Sequence, residues 1–80
     1  MAGGKNINLY DAEKAGVFQI VSVPVIGLLE SLGLRAGTRI RIQNRYFLGG
    51  PVLLCVEDAY SVAVGKDIAR QISVEEVAAG

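Results

Sequence analysis

Apolar positions along the chain fall into short runs whose period changes from two residues to about four and back again. "VFQIVSV" (Val17 to Val23) is rich in β-branched residues and predicts a strand. Pro24 stops it, because proline cannot donate into a central ladder. Proline is also at home in the first turn of a helix. Across "VIGLLESLG", Val25, Leu28, Leu29 and Leu32 recur at i, i+3, i+4 and i+7, which predicts a short helix with one apolar stripe. Gly33 then supplies a left-handed cap, and Leu34 its hydrophobic closure.

"TRIRIQ" restores strict alternation, with Ile40 and Ile42 on one face and Arg39, Arg41 and Gln43 on the other. This is the pattern of a half-buried antiparallel strand. Gly49 and Gly50 mark a loop tip, and "PVLLCVE" follows as a strand with Pro51 at its first position. A tight turn at Asp58-Ala59 leads into "YSVAVG", another strand. "KDIARQ" predicts a single helical turn at most, and "ISV" a last short strand. "INLYDAEKAG" reads as a lead-in ending in a turn at Gly16, and "EEVAAG" as a fraying tail.

Short strands joined by close turns, without βαβ spacing, predict a mainly β fold: a small antiparallel barrel of about five strands with one short helix. Closing the sheet removes edges that so apolar a chain would leave open. No internal repeat marks a second domain. The expected organisation is a flexible N-terminus over residues 1–6, one domain over residues 7–75 and a flexible tail over residues 76–80.

Composition narrows function mainly by exclusion. With no histidine, Ser-His-Asp, Cys-His and His-ligated metal sites are ruled out. The single Cys55 rules out an internal disulfide, zinc ribbons and iron–sulfur clusters, and its apolar run suits a reduced, buried residue of a cytosolic protein. The acids Asp11, Glu13, Glu30, Glu57, Asp58, Asp67, Glu75 and Glu76 do not form a calcium-loop spacing. Gly65-Lys66 matches only the core of a phosphate loop, because Asp67 stands where Ser or Thr must reach magnesium and Tyr60 where the first glycine belongs. Neither catalytic residues nor a cofactor or metal site can be assembled, so an enzyme is the least expected class. The N-terminus lacks the apolar stretch of a signal peptide, and "VFQIVSVPVIGLL" is too short and too interrupted to span a bilayer.

Net charge is zero, which argues against wholesale attraction to nucleic acid or acidic lipid. Charge is nevertheless uneven: between Glu30 and Glu57 every charged residue is an arginine, namely Arg35, Arg39, Arg41 and Arg45. Two readings stay open, ordinary solvated residues of an amphipathic strand or a basic patch for an acidic partner. The stripe of Leu28, Leu29 and Leu32 is a second candidate surface, either the plug of the barrel or an apolar anchor. Only Tyr46 and Phe47 follow the arginines, too few aromatics for a single-strand nucleic-acid platform.

The ordered set L-x-x-L-G-L-x-x-G-T-x-I-x-I (Leu29 to Ile42), with Gly50-Pro51 after the loop and "VAVGKDIARQISV" near the end, resembles the FeoA family of ferrous iron transport proteins. The resemblance extends from about Ile7 to Val74 and contains no catalytic motif. It implies an SH3-like barrel and a small cytosolic accessory that contacts the GTP-binding region of a ferrous iron permease. Such a protein would be cytoplasmic, and peripheral at the inner face of the membrane only through its partner. The same fold closes iron-dependent repressors of the diphtheria-toxin type, but here no helix-turn-helix precedes it, so a repressor is not expected. No metal ligands carry over. The expected partner-binding residues are Arg35, Arg39, Arg41 and Arg45 for steering, with Leu28, Leu29 and Leu32 as the apolar anchor. The alternatives are a barrel that binds nucleic acid and one that self-associates weakly.

Overall fold

The computed structural model describes residues 6–12, 16–46 and 48–77. Its elements are β1 (Ile7–Asn8), a 3-10 turn (Leu9–Asp11), β2 (Val17–Ser22), α1 (Gly27–Ser31), β3 (Arg39–Arg45), β4 (Val52–Val56), β5 (Tyr60–Val64), α2 (Lys66–Ala69) and β6 (Ser73–Glu76). The strands form one antiparallel sheet in the order β1-β6-β2-β3-β4-β5. Its register places Phe18 opposite Ile40 and Ile40 opposite Val56, so the two-residue period delivers one apolar face to the interior. Phe18, Ile20, Ile40, Val52, Leu54, Val56 and Val74 are all buried there. Each such side chain contributes roughly 1.5–3 kcal/mol relative to exposure. Irregularities between Ile20 and Ser22 and between Ile42 and Asn44 bend the sheet, as bulges do, and let it curl into an SH3-like barrel.

The strands expected between Val17 and Val74 are present, and three features differ from the sequence reading. Helix α1 spans only five residues, starting at Gly27 with Ile26 as its N-cap, so Pro24 lies outside it. A helix of one and a half turns cannot carry an i to i+7 stripe on one buried face. Leu29 and the post-helical Leu34 enter the core, Ile26 and Leu32 pack partly against it, while Val25 and Leu28 face outward. The cap itself is as predicted: Gly33 has φ +82°, its N–H donates to the Glu30 carbonyl, and the Leu34 N–H donates to the Leu29 carbonyl.

The lead-in is more ordered than a turn. Ile7 and Asn8 pair with Val74 and Ser73, the Leu9 N–H donates to the Ile72 carbonyl at 2.8 Å, and Leu9 and Ala12 are fully buried. The Asn8 carboxamide accepts from the Asp11 N–H, capping the 3-10 turn. At the other end, β6 continues through Glu75 and Glu76, which pair with Gln19 and Phe18, and the Val77 N–H bonds the Val17 carbonyl. Those residues belong to the sheet and not to a fraying tail; the rest of the expected tail, residues 78–80, and residues 1–5 lie outside the described residues. "KDIARQ" does form one helical turn, α2.

Candidate functional site

Arg39 and Arg41 occupy the outer face of β3, as the alternation requires. Laterally, Arg41 lies between Val17 of β2 and Cys55 of β4, and Arg39 lies beside Gln19. The β4–β5 turn brings two acids to them. Glu57 and Asp58 both adopt left-handed φ, +54° and +58°, and the Ala59 N–H closes the turn on the Val56 carbonyl. The Glu57 N–H donates to the Arg39 carbonyl at 2.9 Å, while its carboxylate accepts from the Arg39 N–H at 3.2 Å. One residue thus extends the β3–β4 ladder by both its backbone and its side chain. Asp58 pairs with the Arg41 guanidinium at 3.4 Å, an exposed ion pair worth about 1 kcal/mol or less. These residues border an open cleft of about 360 Å³ that also exposes part of Cys55. Cys55 is therefore half-buried on the outer face and not in the core, the outcome that alternation with Leu54 and Val56 dictates.

Arg45 behaves differently. It is half-buried, and its Nη2 donates to the carbonyl of the buried Ala12, tying β3 to the lead-in. Its Nε is buried without a hydrogen-bond partner among the described residues. Arg35 is exposed at a second surface, a groove of about 270 Å³ along the Val23–Gly27 connector, floored by Leu34 and flanked by Glu30 and Arg35. Val25 is wholly exposed there and neighbouring Leu28 is 65% exposed, whereas Leu29 is buried and Leu32 half-buried. The structure therefore separates the seven sequence-derived positions. Arg39 and Arg41 share the sheet face, Arg35 lines the connector groove with the exposed Leu28 of α1 following its Gly27, and Arg45, Leu29 and, in part, Leu32 are engaged inside the fold.

Sequence reasoning missed Val25 as an exposed apolar residue and Leu48, fully exposed with φ +62° at the β3–β4 loop. Among the described residues, no group of three or more His, Cys, Asp or Glu side chains is placed to hold a metal ion. No helix among them is long and apolar enough to cross a membrane.

A small SH3-like barrel with a paired arginine–carboxylate face and a separate apolar groove offers surfaces for contact with another molecule. The family model of the FeoA domain matches residues 7–76, and the chain belongs to the FeoA family. Solved structures agree. The crystal structure of an iron uptake regulatory protein (FeoA) is 22% identical, with TM-score 0.80, covering 91% of this chain and 99% of that one. The solution structure of a FeoA-like protein from Clostridium acetobutylicum is 25% identical, with TM-score 0.76, covering 100% and 94%. A manganese-dependent transcriptional repressor is 16% identical with TM-score 0.82; the match covers 96% of this chain but 45% of the repressor, a likeness of fold. Among curated protein sequences no relative matches at a significant level.

Proposed function

We propose that this protein is a non-enzymatic accessory of ferrous iron uptake that docks on the cytosolic GTP-binding region of a ferrous iron permease. The observation that carries this reading is the FeoA-domain match over nearly the whole chain. The surface best suited to docking is the connector groove, where the exposed Val25 supplies apolar contact and Arg35 a charge, with the exposed Leu28 next in sequence to the groove's Gly27. Arg39, and Arg41 across from Asp58, add steering from the sheet face. Leu32, partly buried against the core, and Leu29 and Arg45 hold the fold that presents the groove.

The test is a titration of the ¹⁵N-labelled protein with the GTP-binding domain of the permease. Amide shifts should cluster over residues 23–41, and Leu28→Ser with Arg35→Glu should weaken binding by about tenfold or more. A well-folded protein that shows no shifts with that domain would defeat the docking role. Binding that ignores both substitutions would move the interface elsewhere.

A further inference from the structure

The connector groove carries two opposite charges that do not meet each other. Glu30 and Arg35 both line it, beside Val23, Val25, Ile26 and the buried Leu34. Both charged side chains are exposed, and among the described residues neither makes an ion pair or a hydrogen bond. Arg41 of the sheet face differs, since Asp58 answers it at 3.4 Å. Glu30 is held by α1, and Arg35 follows the cap at Gly33 and Leu34, so both charges are carried to the groove by ordered backbone.

The groove measures about 270 Å³. An apolar cavity of about 150 Å³ takes a benzene ring, so this hollow takes one large apolar side chain with room for main chain beside it. The charges then select among occupants. Glu30 sets a carboxylate against any phosphate drawn in by Arg35, which disfavours nucleic acid and acidic lipid. A second copy presenting the same groove would set one concave wall against another and leave a void, whereas interface cores pack as densely as protein interiors. A projecting protein segment fills the hollow and can bring a charge of each sign.

We propose that the groove receives a segment of the partner protein in which one large apolar side chain is accompanied by one basic and one acidic residue, the base meeting Glu30 and the acid Arg35. It rests on the docking reading, which makes the groove a contact surface, and adds the chemistry of what fills it. The apolar side chain is the anchor. The two charges act as selectors, because charge complementarity rejects wrong partners more than it adds affinity.

Blocked peptides of one design test this against the ¹⁵N-labelled protein: Lys-Ala-Phe-Ala-Glu, Glu-Ala-Phe-Ala-Glu and Lys-Ala-Phe-Ala-Lys. The mixed peptide should move the amides of Val23, Val25, Ile26 and Leu34. It should bind about fivefold more tightly than either single-sign peptide, the worth of an exposed ion pair. Glu30→Arg should transfer the preference to the two-acid peptide and Arg35→Glu to the two-base peptide, with the rest of each spectrum confirming the fold. Alanine in place of the peptide's phenylalanine should remove binding. Equal affinity for all the peptides, preferences that ignore the substitutions, or no groove shifts at millimolar peptide would each overturn the proposal. Movement of the same amides on simple dilution would overturn it in favour of a second copy. Titration with the permease's GTP-binding domain separates the two readings. Groove shifts with the domain but with none of the peptides would keep the docking role and sink the segment chemistry; the peptide preferences without any shift by the domain would do the reverse.

Discussion

The Tyr60 hydroxyl donates to the Leu32 carbonyl at 2.6 Å, joining the C-terminal end of α1 to the first residue of β5. That carbonyl belongs to the last turn of a helix, where acceptors lack partners within the helix. A Cβ at Gly33 would collide with the same hydroxyl, and Gly33 also holds φ +82°. Glycine is therefore required there for two separable reasons, backbone handedness and the closeness of Tyr60.

A double-mutant cycle separates them. Tyr60→Phe should cost ~1 kcal/mol, the net worth of a hydrogen bond. Gly33→Ala should cost roughly 1–2 kcal/mol for the left-handed backbone alone, and more while the hydroxyl is present. In the Tyr60→Phe background the collision is relieved, so the double variant should fall short of the sum by ~1 kcal/mol. Urea unfolding of the four proteins measures this; strict additivity would mean that the hydroxyl and the glycine do not meet.

Adjacent residues of the β4–β5 turn should respond with opposite signs. Asp58 holds φ +58° and contributes only an exposed ion pair, so Asp58→Gly relieves backbone strain and should stabilise by about 0.5 kcal/mol. Glu57 holds φ +54° too, but its carboxylate accepts from the Arg39 N–H. Glu57→Ala keeps the strain, loses that acceptor and should destabilise by ~1 kcal/mol. Thermal unfolding of both variants decides; equal signs would show that Glu57 does not act as a piece of strand.

Helix α1 offers a contrast between neighbours. Leu29 is 4% exposed and Leu28 is 65% exposed, so Leu29→Ala should cost about 2–5 kcal/mol. Leu28→Ala should stay within about 0.5 kcal/mol of the unmodified protein, as surface substitutions do. Similar losses for both would place the helix in a different rotation about its axis.

Strand periodicity is legible in the sequence because it is local: Ile40 with Ile42, and Leu54 with Val56, announce their face by alternating with neighbours. The glycine cap of α1 is legible for the same reason, since Gly33 and Leu34 follow the helix directly. Features that the sequence hides have their deciding partner far along the chain. Ile7 and Asn8 become a strand only because Val74 and Ser73 lie beside them, and two residues carry no period of their own. Arg41 looks unopposed in sequence because its acid, Asp58, arrives by a turn in space, as does the Glu57 carboxylate that accepts from the Arg39 backbone N–H. Leu28 and Leu29 carry equal weight in the apolar stripe, and only the rotation of α1 against the core distinguishes them.

Arg45 is the least legible of these, a charge counted with its neighbours that turns inward to Ala12, thirty-three residues away. Its loss should open the lead-in and leave the outer face of β3 alone. Arg45→Ala should cost about 1.5–3 kcal/mol, the range for a hydrogen bond from a charged group. Arg45→Met should cost less, because the long stem still covers apolar surface and the buried, unpartnered Nε is removed. Arg35→Ala, at an exposed position, serves as the reference and should change stability by less than about 0.5 kcal/mol. Hydrogen exchange gives the local readout: the Leu9 amide, bonded to the Ile72 carbonyl, should lose protection in Arg45→Ala before the amides of β4 do. If Arg45→Ala instead matches Arg35→Ala in both stability and exchange, Arg45 is a surface charge free to meet a partner.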